Sequence, residues 1–124
     1  MNAGLTTAVS DEDASKHLDR LKGIEDGSIP YPDVPFIGMT NAYLFASYAY
    51  YEMDVSLISD FTYDMVCAYL LENFDALEML GVWHVGKVIV KDNLAAGTCI
   101  GIEYPDYVKA AVPVMVRLKN EDSL

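Results

Sequence analysis

Tyr50-Tyr51, Asp54, Asp60 and Tyr63-Asp64 are the residues of this chain whose types and spacing could do chemistry. Tyrosine rings attract cations through the negative faces of their π-systems. Carboxylates add direct charge and accept hydrogen bonds from hydroxyls and amides. No lysine or arginine occurs between Gly23 and Gly86. A site of that make-up suits a cationic heteroaromatic ligand or a basic protein surface, and it suits phosphate poorly.

Two helices must hold these groups. Thr40 is expected to cap one that runs to about residue 53, apolar nearly all round and therefore buried. Residues 54–57 form the turn, and Ser59 caps a second helix from residue 60 to about residue 80, ended by Gly81. On that helix Asp60, Asp64, Glu72 and Asp75 share a wet face, while Tyr63, Val66, Leu70, Phe74 and Leu77 share a packed one.

The flanks read less uniformly. Ser10 followed by Asp11, Glu12 and Asp13 starts a helix expected to reach Leu21 and stop at Gly23. Pro30, Pro32 and Pro35 make residues 27–38 an extended connector, pinned to the core by Tyr31 and Phe36. Residues 82–90 are rich in β-branched side chains and read as a strand, and residues 99–104 as another. A turn or short helical piece separates them across residues 91–97. Residues 106–118, interrupted by Pro113, read as a helix passing into a strand. The expected fold is α+β: a flexible terminus over residues 1–9, then a small single domain over residues 10–124. Its central helix hairpin, over residues 39–80, is followed by a short β element.

Composition sets the outer limits. A chain of 124 residues with 52% hydrophobic content can bury a core without staples, despite a net charge of −11. An excess of 19 acids over 8 bases disfavours direct nucleic-acid binding and anionic membranes. Cys67 and Cys99 sit in apolar surroundings without framework spacing, which predicts reduced, buried thiols and a cytoplasmic setting. The opening residues are small and polar, unlike a secretory leader, and the apolar run over residues 42–51 is too short to span a bilayer.

Several chemistries lack their residues. No glycine-rich phosphate loop precedes a Lys-Ser or Lys-Thr pair, and no G-x-S-x-G elbow occurs. His17, His84, Cys67 and Cys99 do not have zinc-ligand spacing, so no metal site is expected. His84, beside Trp83, reads as a partly buried histidine. Asp60 and Asp64, four apart on an exposed face, read as solvated charge rather than an acid–base pair.

The run from Tyr50 to Asp64 resembles the N-terminal Ia domain of bacterial NAD-dependent DNA ligases, whose pattern is Y-[YH]-x-x-D-x-P-x-I-x-D-x-E-Y-D. The spacing matches without a gap, with Ser56 and Thr62 at the proline and glutamate positions. The resemblance covers about residues 43–78, and the whole chain looks like small ligase-related bacteriophage proteins. It implies that Tyr50, Tyr51, Asp60, Tyr63 and Asp64 contact the nicotinamide mononucleotide half of NAD. The ligases' K-x-D-G nucleotidyltransfer motif is missing, so the expectation is a binding module without catalysis, for NMN or NAD as ligand and in a bacterial host cell.

Two other readings stand beside it. An acidic phage protein could inhibit a host nucleic-acid-binding or defence factor by DNA mimicry, presenting Glu52, Asp54, Asp60, Asp64, Glu72, Asp75 and Glu78 to a basic surface. A structural or accessory protein could instead self-associate through an apolar patch near Tyr48, Tyr50 and Tyr51.

Overall fold

The computed structural model describes residues 8–82 and 84–122. Among them the chain forms six α-helices and no strand, so the fold is all-α rather than the α+β expected from the sequence. Most of the flexible terminus expected over residues 1–9 lies outside the described residues, as does Trp83.

Helix α1 (Asp11–Asp26) opens as anticipated, with the Ser10 hydroxyl accepting from the Asp13 amide at 3.1 Å and three acids in its first turn. It runs past Gly23, the expected stop, to a left-handed cap at Gly27 (φ 79°). Gly23 serves packing instead. Ile29 folds back so closely that its Cδ1 would lie 2.3 Å from a Cβ at that position.

The connector contains a single 3₁₀ turn at Tyr31–Asp33 and then enters α2 (Phe36–Met53) directly after Pro35. The helix therefore starts four residues earlier than its expected cap at Thr40. The Pro35 carbonyl takes the Met39 amide at 3.0 Å, and Thr40 lies inside, its hydroxyl bonded to the Ile37 carbonyl at 2.9 Å. As predicted, α2 is buried along most of its length, including Met39, Tyr43, Leu44, Phe45 and Ala49. Tyr31 and Phe36 do pack against this core.

Helix α3 (Asp60–Glu72) starts at the predicted Ser59 cap, whose hydroxyl accepts from the Thr62 amide at 3.2 Å. The single helix expected to about residue 80 divides at Asn73. The Asn73 side-chain amide donates to the Tyr69 carbonyl at 2.8 Å, alongside the Asn73 backbone amide at 3.1 Å, so both close on the last turn of α3. A short α4 (Phe74–Met79) follows and turns out through left-handed Gly81 (φ 70°). Of the expected packed face Val66, Leu70, Phe74 and Leu77 are buried and Tyr63 is half-buried, while Asp60, Asp64, Glu72 and Asp75 are exposed as expected.

Among the described residues of the stretch 82–90, the expected strand does not form. His84 (φ 69°) and Gly86 (φ 90°) are left-handed, and the Lys87, Val88 and Ile89 amides all return to the His84 carbonyl. β-Branched composition suggested a strand, but backbone that repeatedly turns left-handed cannot form one. Only an isolated bridge joins Val85 and Ile89. Helix α5 (Lys91–Ala96) is the short helical piece anticipated, and residues 99–104 are irregular, turned by Gly101 (φ 75°).

The final segment is one helix, α6 (Asp106–Asp122), not a helix passing into a strand. Its buried residues Val108, Ala111, Val112, Met115 and Val116 form an unbroken helical stripe. Pro113 is exposed, so the ladder bond it forfeits opens toward water rather than the core. Helix α6 packs on α1 and α2, α3 packs on α2, and α5 covers α3. Arg117 of α6 also pairs with Asp11 in the first turn of α1. No helix among the described residues is long and apolar enough to cross a membrane.

Candidate functional site

The crook between α2 and α3 holds a cleft of about 260 Å³. Ala46, Tyr50 and Tyr51 come from α2, Ser56, Leu57 and Ile58 from the turn, and Asp60, Tyr63 and Asp64 from α3. Gly97, just beyond α5, closes the remaining wall. The five residues singled out in the sequence, Tyr50, Tyr51, Asp60, Tyr63 and Asp64, thus line a single cleft. Helical spacing accounts for the convergence. Asp60 and Asp64 lie one turn apart with Tyr63 between them, and Ala46 and Tyr50 stand one turn apart opposite.

The turn is built to bring these faces together. Asp54 caps α2 in the left-handed region (φ 58°, ψ 39°), and its amide and that of Val55 both donate to the Ala49 carbonyl. Ile58 is buried and anchors the entry into α3. Asp54 itself does not line the cleft.

The three tyrosines differ in role. Tyr63 is half-buried, its hydroxyl shares a hydrogen bond with Ser47 at 2.7 Å, and its ring stacks on Tyr43 at 5.8 Å and 28°. Tyr43 is fixed in turn by donating to the Thr98 carbonyl at 2.6 Å. Burial pushes the Tyr63 phenol well above its ordinary range, so it is neutral and oriented before any ligand arrives. Tyr50 and Tyr51 are 51% and 39% exposed and meet edge to face at 5.1 Å and 87°. They form an aromatic rim over a preset floor.

Gly97 is the member of the site that the sequence did not announce. Its φ of 69° is left-handed, and a Cβ there would come within 3.1 Å of Asp64 Oδ1. The glycine lets the backbone after α5 pass against the carboxylate. Ser47 was missed as well. Nothing in its local sequence marks it, because its hydroxyl is one of several polar groups along α2.

Glu25, near the C-terminal end of α1, is a further residue that no sequence pattern singles out. Its carboxylate accepts from the Ser59 amide at 2.5 Å, the Ser59 hydroxyl at 2.9 Å and the Thr62 hydroxyl at 2.7 Å. Desolvation pushes its pKa up, but the hydrogen bonds from Thr62 and Ser59 outweigh it and hold the group below the usual glutamate range.

Behind the floor lie Cys67 and Cys99, both buried free thiols as expected. Burial, with the Asp64 charge nearby, pushes Cys67 up to about 12, so it is a thiol and a poor nucleophile. Among the described residues no three His, Cys, Asp or Glu side chains converge as a metal site would require. The remaining acids of the basic-partner reading, Glu52, Asp54, Glu72, Asp75 and Glu78, are exposed outside the cleft, and Asp75 pairs with Lys91 at 3.1 Å. No protein family, curated protein or solved structure matches the chain.

Proposed function

We propose that the chain is a binding module without catalysis, whose cleft takes the nicotinamide-ribose part of NMN or NAD. The observation that carries this is the convergence of Tyr50, Tyr51, Asp60, Tyr63 and Asp64 on one cleft of about 260 Å³. That volume falls just below the roughly 300–1,000 Å³ of sites for drug-sized ligands, so it suits one heteroaromatic ring and its sugar. The aromatic rim and floor would hold the pyridinium by cation–π attraction, worth about 0.5–2 kcal/mol per contact. Asp60 and Asp64 would accept from the ribose hydroxyls or the carboxamide. The resemblance to the ligase Ia domain supports the same ligand.

Calorimetric titration with NMN and NAD tests this, using Tyr50→Ala and Asp64→Asn as site variants. Both side chains are exposed, so helicity by circular dichroism should be unchanged. Each variant is expected to weaken binding about two- to thirtyfold, the loss of one cation–π or charged contact. Tyr63→Ala is the poorer probe, because it would also strand the Ser47 hydroxyl. Equal titration curves for wild type and both variants would sink the assignment.

A second reading has its own observation. On α3, Phe61 is 74% exposed and Met65 45% exposed, beside exposed Asp60, Asp64 and Glu72. Apolar side chains interleaved with acids suit a basic, amphipathic partner protein, and three of these acids are among those the inhibitor reading presents to a basic surface. Phe61→Ser would abolish such docking and leave nucleotide titrations unchanged.

A further inference from the structure

The charges around the cleft narrow its ligand further. None of the ten lining residues is lysine, arginine or histidine, and two are carboxylates. A phosphate therefore finds no cationic partner in the lining. The feature nearest to hand is the N-terminus of α3, where free amides and the helix dipole ordinarily draw an anion.

That position is already filled by the protein itself. Glu25 receives the Ser59 amide, the Ser59 hydroxyl and the Thr62 hydroxyl, and the Ser59 hydroxyl takes the Thr62 amide. Ser59 directly precedes Asp60 of the cleft wall. Glu25 thus supplies from α1 the negative charge that a ligand phosphate would bring. Its pKa, held down by these same hydrogen bonds, keeps it ionised at neutral pH. A phosphate leaving the cleft toward α3 passes Asp60 and Asp64 and finds the start of the helix already held by Glu25.

Resting on the binding function proposed above, we infer that the cleft selects a phosphate-free aromatic cation, a pyridinium nucleoside, over its 5′-phosphate. The positive ring is attracted by tyrosine faces and carboxylates alike. The phosphate gains no cationic partner, is repelled by Asp60 and Asp64, and finds the start of α3 occupied by Glu25.

The test is a parallel calorimetric titration of the wild-type protein with nicotinamide riboside, NMN and NAD, at low and at physiological salt. The riboside is expected to bind tightest, with NMN about tenfold or more weaker at low salt. The gap should narrow as salt screens the repulsion. In Glu25→Gln, checked for retained helicity, NMN should gain affinity relative to the riboside. NMN binding as tightly as the riboside in wild type would overturn the selection and leave the binding function standing. Absence of saturable heat with all three ligands would overturn both.

Discussion

The hairpin of α2 and α3 and the crossover of residues 81–105 both contribute to the cleft, and they are held in different ways. The hairpin consists of two long helices that bury continuous side-chain stripes and are joined by a turn capped at both ends. The crossover has one six-residue helix and left-handed residues at Gly81, His84, Gly86, Gly97 and Gly101. It is tied to the core by separate anchors, Ile89, Leu94, Cys99 and Tyr104. A helix spreads its attachment over many interchangeable apolar contacts, whereas a turning segment depends on particular backbone conformations at single residues. The cleft joins the two: its side-chain chemistry comes from the hairpin and its closing wall from Gly97 of the crossover.

The largest expected effect separates the two regions by core truncation. Leu70 of α3 and Ile89 of the crossover are both fully buried. Leu70→Ala should cost about 2–5 kcal/mol, because rigid helices on either side leave the cavity open. Ile89→Ala should fall at the low end of that range, since short turns can close over the gap. Equilibrium urea unfolding gives both values, and equal losses would mean that the crossover is packed as rigidly as the hairpin.

A smaller effect sharpens the account of the crossover's backbone. Gly97→Ala and Gly101→Ala each place a side chain at positive φ, costing roughly 1–2 kcal/mol. Only at Gly97 does the new methyl also press on Asp64, whereas Gly101 faces open space. Both variants should lose similar stability in thermal melts, and Gly97→Ala alone should weaken ligand binding. Equal binding in the two would separate Gly97 from the site.

The smallest effect concerns the clasp between α1 and the hairpin. The folded-state pKa of Glu25 lies below its ordinary value, so the carboxylate adds stability above the unfolded glutamate pKa of about 4.3. That contribution is lost as pH falls through the lower folded-state value. Because Glu25 is exposed, solvent screening keeps the effect modest. Glu25→Gln should flatten this part of the acid limb of a stability–pH curve and leave the alkaline limb unchanged. An unaltered acid limb would show that the clasp adds nothing to folding.

Legibility followed the same division between regions. Ser10 and Ser59 caps, the buried α2 and the two faces of α3 were readable because caps and helical stripes involve residues three or four apart. The break at Asn73 was not, because its side-chain amide turns back on the Tyr69 carbonyl inside a pattern that stays helical. Val82, Val85, Val88, Ile89 and Val90 suggested a strand by composition, yet the left-handed backbone at His84 and Gly86 forbids it. Pro113 suggested an interruption, but on the wet face of α6 it leaves the buried stripe intact.

By itself the sequence determined the chemical character of the cleft: a tyrosine pair at the end of one helix, and Asp60, Tyr63 and Asp64 at one-turn spacing at the start of the next. Local hydrogen bonds and helical period suffice for that. Tertiary structure decided what no local pattern encodes. It set Ser47 and Tyr43 against Tyr63, and it brought Gly97 to Asp64 from more than thirty residues away. It also seated Glu25 of α1 on the start of α3. Such contacts arise only when separate helices dock, because docking sets which distant groups come within contact or hydrogen-bonding reach of one another.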